Sequence, residues 1–383
     1  MAGKDEELIA RARALAPGIK ARAAQAEQLR RPHDDSIREL IDAGIIQMLV
    51  PRRWGGAEAD LATMVEVVEI ISGACMSTGW IASFYINHNL YITKMNERVQ
   101  EEVFGPRGFA LLPAANAATM KAKRVDGGWL VSGRAPWGSG IMHADWVLVS
   151  GIDEAASRLF LLPAADAKVA DVWHFAGMAA TGSNDIVLEE VFVPEHRAIE
   201  HAEFGQGPTE ASLRYDNPLY SIPMLPIAYN TISGVLSGGL RGAYEEFEAT
   251  VTRRVRNFSG AVVKDQQHFH IMLGEARIAT QMASDLARLT VARTTALARK
   301  EPFTLEQRLD LKAKVAFLSR LCLDSVNQMM SRAGSSSFHH DRPIQRYWRD
   351  LNTLCTHAFW DWDATRELVG RHQLGLEPNH PLA

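Results

Sequence analysis

The chain has 383 residues, 47% apolar and 22% charged, a composition that rules out global disorder and sustains a large buried core. Its 41 basic and 45 acidic side chains leave a formal charge of −4, which gives no electrostatic footprint for nucleic acid or anionic lipid. Cys75, Cys322 and Cys355 are too few for a disulfide framework and form no CxxC pair. No apolar leader-like segment follows Met1, and no apolar run reaches the roughly 18 residues of a membrane span, so a cytoplasmic, membrane-free globular protein is expected.

Three textures follow one another. Residues 1–108 read as an N-terminal α-helical domain, with Ile37, Leu40, Ile41 and Ile45 recurring at helical steps. Asp34, Asp35 and Ser36 are natural caps for that run, because their side-chain oxygens accept from free first-turn N–H groups. The stretch from Val50 to Gly56 breaks the pattern, and Leu61 to Gly73 resumes it.

Residues 109–215 read as a middle β domain. Short apolar runs at 129–132, 146–149, 159–162, 186–188 and 191–193 predict strands, and Asp126-Gly127-Gly128 predicts a tight hairpin turn. With no helical segments between them, an antiparallel sheet or small barrel is expected rather than βαβ units.

Residues 216–383 read as a C-terminal four-helix bundle. Leu311, Val315, Leu318, Cys322, Val326 and Met329 make one apolar stripe, and Phe269, Met272, Leu273, Ala276, Ala279 and Ala283 make another. The fold class is therefore α+β: helices, sheet, helices.

The common nucleotide and hydrolase signatures are missing. There is no GxxxxGK[ST] and no GxSxG, and Gly138-Ser139-Gly140 lacks the third glycine of a dinucleotide fingerprint. His339-His340-Asp341 is the densest group of ligand-type residues, but neighbours in sequence rarely converge on one ion, so no metal site is expected.

More informative are two distant segments. Gly133 to Gly140 contains Trp137-Gly138-Ser139-Gly140 and runs into His143 and the strand at Trp146; Pro343 to Asp350 contains Arg349-Asp350 and is followed by His357. Together with the helix–sheet–helix order, these residues resemble the acyl-CoA dehydrogenase superfamily over nearly the whole chain. In that family a Trp-x-[Ser/Thr]-x-Gly strand lines a flavin, and an Arg-Asp pair opens the helix before the active-site loop.

The departures from the family pattern select a branch. The glutamate that dehydrogenases use to take an α-proton would fall at Ala358 or at Ile232, and neither is a carboxylate. The Thr-Glu-Pro-x-Ala-Gly-Ser-Asp stretch is replaced by Leu112 to Asn116. The chain is instead similar to two-component flavin-dependent monooxygenases such as the 4-hydroxyphenylacetate and steroid-phenol hydroxylases. That resemblance implies reduced FMN or FAD from a separate NAD(P)H:flavin reductase, O2 as co-substrate, a C4a-hydroperoxide on the flavin, a small phenolic or indole-like substrate and a homotetramer or dimer of dimers.

It also implies residue roles. Ser77-Thr78-Gly79-Trp80 followed by His88 matches the family pattern, as do Ser139 and His357, giving His88, Ser139 and His357 as catalytic candidates. Trp137, Gly138 and Ser139 would line the flavin ring, and Arg256, Gly334, Ser335 and Ser336 its phosphate, with Arg256 and the Gly-Ser-Ser turn expected on helices of the tetramer. His357 is expected on the last bundle helix with Thr353 and Asp361 on the same face, and either histidine would serve as base. Trp360 and Trp362 are expected to pack in the bundle or an interface. The rival readings are an acyl-CoA dehydrogenase or oxidase with a relocated base, an N- or S-oxygenase on the same scaffold, and a catalytically idle member of an assembly.

Overall fold

A computed structural model describes residues 5–154, 156–205, 207–255, 260–299 and 301–380. Five helices lead: α1 (Glu6–Leu29), α2 (Asp34–Asp42), α3 (Leu61–Ala74), α4 (Met76–Ile92) and α5 (Glu97–Phe104). Seven strands follow, β1 (Ala114–Val125), β2 (Gly128–Ala135), β3 (Trp146–Ile152), β4 (Ser157–Pro163), β5 (Lys168–Ala170), β6 (Asp185–Pro194) and β7 (Ala198–Glu200). Short α6 (His201–Gly205) leads to the long helices α7 (Met224–Arg253), α8 (Gln267–Leu297) and α9 (Leu305–Ala333), and α10 (Pro343–Leu354) and α11 (Trp362–Gln373) close the chain. The expected order of helices, sheet and helices is present, and no helix among the described residues is long and apolar enough to cross a membrane.

The sheet runs β5-β6-β2-β1-β3-β4-β7 and is mixed rather than wholly antiparallel, because β1 and β3 are parallel. The β1–β2 hairpin returns the chain to the end where β1 began. A strand entering from there on the free edge of β1 must run alongside it in the same direction. The hairpin turn is the expected one, with Gly127 at φ 72°. The runs at 186–188 and 191–193 are one strand, bulged where Glu190 (φ 50°) donates its N–H to Ser132 Oγ at 2.8 Å.

Helix α2 is capped by His33, whose ring accepts from Asp35 N–H, not by the acidic run that follows it. The stripe from Leu311 to Met329 on α9 is fully buried, as its spacing predicts. One apolar core joins the helices of both ends of the chain with Leu148, Leu159 and Leu161 of the sheet, and a second fills the sheet's other side around Trp129, Val149 and Phe160.

Candidate active site

Helix α4 is apolar and buried almost all round, the signature of a helix with no solvent face. Residues at steps of four, four and three, Trp80, Phe84, His88 and Tyr91, share one side of it. Their rings pack in series: Trp80 to Phe84 at 4.5 Å, Phe84 to His88 at 4.9 Å and His88 to Tyr91 at 4.8 Å.

The turn after β2 meets this wall. Pro136 has no N–H to continue the ladder. Asp185 then fixes the reversal, accepting from Trp137 N–H at 3.0 Å and from Arg134 Nε at 2.5 Å. Trp137 is held at φ 59° with its side chain 62% exposed. Gly138 N–H donates to the Asn184 carbonyl at 2.8 Å, and Tyr85 Oη donates to the Gly140 carbonyl. Gly140 has φ 94°, and a Cβ there would lie 2.8 Å from the Tyr85 ring, so glycine is required. Ser139, only partly buried, receives the Trp80 Nε1–H at 3.1 Å and lies 2.7 Å from Ser183 Oγ. Ser183 in turn lies 2.8 Å from Thr181 Oγ1, which is 2.8 Å from the Met178 carbonyl.

His357 completes the cluster, though not from a helix. α10 stops at Leu354, and His357 caps the short turn Ala358–Trp360, so the expected shared face with Thr353 and Asp361 does not exist. The ring stacks on Trp360 at 4.3 Å and meets Trp80 edge-on at 6.0 Å. Trp360 is buried, as expected, and packs against Trp80 and His357; its Nε1 has no hydrogen-bond partner among the described residues. Trp362 sits apart, against Phe317. The Arg349-Asp350 pair lies in the second half of α10, not at its opening. It holds the loop before β6: Arg349 donates to the Ala176 carbonyl, and buried Asp350 accepts from Met178 N–H at 2.6 Å.

The two histidines have opposite hydrogen-bonding senses. His88 Nδ1 lies 2.6 Å from the Leu112 carbonyl and must carry the proton, leaving the lone pair on Nε2. His357 Nδ1 accepts from Phe359 N–H at 3.2 Å, so in the neutral ring the proton is on Nε2. Burial pushes both rings down to about 4, which keeps them neutral at pH 7.

Gly334, Ser335 and Ser336 stand elsewhere, at the end of α9, where Arg254 donates to the Ala333 carbonyl at 2.7 Å. Arg256 lies outside the described residues. No group of three metal-type side chains occurs among the described residues. Thr181 and Ser183, which the sequence reading did not single out, sit in a loop whose only signal is the polar run Thr181-Gly182-Ser183-Asn184.

An isoalloxazine ring offers flat aromatic faces and an edge of alternating nitrogen and carbonyl groups. The cluster offers indole and imidazole rings for the first and the cleft-facing Ser139 hydroxyl for the second, so these residues fit a flavin.

Comparisons with known proteins identify the family. Residues 4–103 match the family described as acyl-CoA dehydrogenase, N-terminal domain, and residues 231–362 the one described as acyl-CoA dehydrogenase, C-terminal domain. A pigment production hydroxylase of Rhodococcus sp. is 37% identical over 381 residues, with 98% of each chain covered. The flavin-dependent monooxygenase oxygenase subunit HsaA of Mycobacterium tuberculosis is 32% identical over 377 residues, covering 96% of this chain and 95% of that protein. The HsaA crystal structure superposes with a TM-score of 0.90, covering 98% of this chain and all of that one. XiaF from Streptomyces, solved with FADH2 and glycerol, gives 0.89 at 28% identity, covering 98% of this chain and 97% of that one. The chain belongs to the acyl-CoA dehydrogenase superfamily, in its branch of flavin-dependent monooxygenase oxygenase components.

Proposed function

We propose that this chain is the oxygenase component of a two-component aromatic hydroxylase, taking reduced FMN or FAD from a separate NAD(P)H-dependent reductase and acting on a phenolic or indole-like ring. The observation that carries this reading is that Ser139 and His357 both meet Trp80, from which Phe84 carries the ring series to His88, with no carboxylate at Ala358 or Ile232 for α-proton abstraction. Reduced flavin, when bound, supplies the two electrons that split O2, one oxygen atom entering the ring as hydroxyl and the other leaving as water.

The chain's own residues do the rest. His88 Nε2 takes the proton of a phenol O–H or indole N–H, raising the electron density of the ring to be oxygenated. His357 Nε2–H is a donor and stabilises negative charge facing it. Ser139 Oγ holds the flavin N5 proton in place. The rings of Trp80, Phe84, Tyr91 and Trp360 keep water away from these groups.

The reading extends to assembly. The outer face of α8 exposes Ile271, Ile278, Met282 and Leu289, each at 48–64%, beside a groove of about 600 Å³ shared with α9. Such a face suits a second copy of the chain, in a homotetramer or dimer of dimers. Arg256 and the Gly334-Ser335-Ser336 corner would then reach the flavin phosphate of a neighbouring copy. A cytoplasmic setting, where reduced flavin is produced, follows from the same reading.

The test mixes the protein with reduced FMN or FAD under oxygen and screens phenols and indoles for hydroxylated product and released peroxide. Product formed in step with oxygen consumption supports the reading. Bleaching of bound oxidised FAD by an acyl-CoA, with no hydroxylation, overturns it.

A further inference from the structure

The hydroxyl groups behind Ser139 form a chain whose direction is dictated by its far end. Each hydroxyl has one proton to give. The Met178 carbonyl has none, so the contact from Thr181 Oγ1 at 2.8 Å must be Thr181 donating. Thr181 has then spent its proton, and its 2.8 Å contact with Ser183 must be Ser183 donating. Ser183 is left only as an acceptor toward Ser139 at 2.7 Å, so Ser139 donates to Ser183. On its other side Ser139 accepts from Trp80 Nε1–H, a group that can only donate. One lone pair of Ser139 Oγ remains for the cleft, and no proton.

The anchor is well fixed. Thr181 and Ser183 are 1% and 2% exposed, so water does not compete for their hydrogen bonds. The Met178 carbonyl is held in place by Trp173 Nε1–H at 2.9 Å, and Met178 N–H by Asp350.

We propose that Thr181 and Ser183 are positioning residues that lock Ser139 as an obligate hydrogen-bond acceptor, so that the site favours a flavin bearing N5–H over one with a bare N5. This rests on the reading that Ser139 faces flavin N5. Reduced flavin carries a proton on N5 and satisfies the Ser139 lone pair. Oxidised flavin presents a lone pair there and meets another lone pair. The same lock would expel the oxidised product and admit the next reduced molecule.

The experiment measures dissociation constants of oxidised and of reduced FMN and FAD, the latter anaerobically, and takes their ratio. Thr181→Val removes the anchor, lets Ser183 donate to Ser139 and frees the Ser139 proton for bare N5. The oxidised-to-reduced ratio is expected to fall about tenfold, mainly through tighter binding of oxidised flavin. Ser183→Ala, which also frees that proton, shifts the ratio the same way, and Thr181→Ser preserves the wild-type ratio. Ser139→Ala lowers the ratio by weakening the reduced form and by removing the lone pair that the oxidised form meets. If Ser139→Ala lowers the ratio while Thr181→Val and Ser183→Ala change both constants equally, the lock is wrong and the placement of Ser139 stands. If Ser139→Ala leaves the ratio unchanged, Ser139 does not face N5, and both ideas fall.

Discussion

Trp80 and Ser139 lie 59 positions apart and are joined by one hydrogen bond of 3.1 Å, indole Nε1–H to Oγ. That bond ties the most buried N-terminal helix to the turn after β2 and sets the floor of the cleft. The neighbouring Tyr85 bond to the Gly140 carbonyl ties the same two elements a second time. The two nearby histidines, His88 and His357, have opposite hydrogen-bonding senses.

Replacing His88 by Ala removes the one imidazole whose lone pair sits on Nε2. Turnover of a phenol near pH 7 is expected to fall by about 100-fold. The loss should recover as pH passes the phenol's own pKa, near 10 for an unsubstituted ring. His357→Asn keeps an N–H donor and should retain more turnover than His357→Phe, with neither rescued by alkali. Steady-state hydroxylation rates across pH 6–10 decide the matter, and alkaline rescue of the His357 variants instead would reverse the assignment.

Acid should act on the native chain through its buried histidines, which must take up a proton to unfold. His88 is held neutral, its pKa pushed from 6.5 down to about 4 by burial. A histidine lowered in this way stabilises the fold fully above about pH 6.5 and loses that contribution as pH falls toward 4. The difference corresponds to at most about 3 kcal/mol. The difference between wild type and His88→Gln, which keeps a donor for the Leu112 carbonyl, should show this slope in thermal or urea melts between pH 7 and 4.5, with the shares of His357 and Asp350 cancelling in the comparison.

Asp350 behaves in the opposite sense. Burial raises its carboxyl from 3.8 to about 7 despite the Met178 N–H it accepts. Its contribution is complete below about pH 4 and is lost progressively as pH rises to about 7. Asp350→Asn keeps an acceptor for Met178 N–H and removes the titration, so stability should hold and lose its decline between about pH 4 and 7. Asp350→Ala leaves a buried N–H unpaired and should cost about 2–4 kcal/mol in urea unfolding. Equal losses in the two variants would show that the hydrogen bond contributes little.

A charge on the outer face of α8 tests assembly. Ile278→Glu places a carboxylate at a side chain that is 64% exposed, so the isolated fold has no reason to suffer. Sedimentation should show a smaller species than wild type. Flavin affinity should fall with it if a neighbouring copy supplies the phosphate site. An unchanged sedimentation coefficient would leave the face without a partner of its own kind.

Much of this architecture was legible from spacing and from motif residues. The apolar stripe on α9 and the Gly127 turn stand where the sequence reading puts them, by periodicity and backbone freedom. β1 escaped because its alanine- and lysine-rich stretch has no aromatic residue and only Thr119 and Val125 as β-branched ones, and is a strand through its two neighbours. The break after Leu354 escaped because Cys355 and Thr356 carry no glycine or proline signal. The ring series along α4 was hidden because a helix buried on every side shows no polar–apolar alternation. Thr181 and Ser183 could not be found locally, since their meaning comes from a carbonyl and a serine that only the folded loop brings to them.

Trp137 gives the molecule a property of a different kind. Of the nine tryptophans it alone is exposed, held out by the Asp185 carboxylate on its own backbone N–H. Its emission should therefore dominate the red edge of the protein's fluorescence and be reached first by a soluble quencher. Anything that settles on the turn after β2, whether flavin, a reductase or another copy, will shift or dim that signal. The fold thus carries an intrinsic optical probe beside its own cleft.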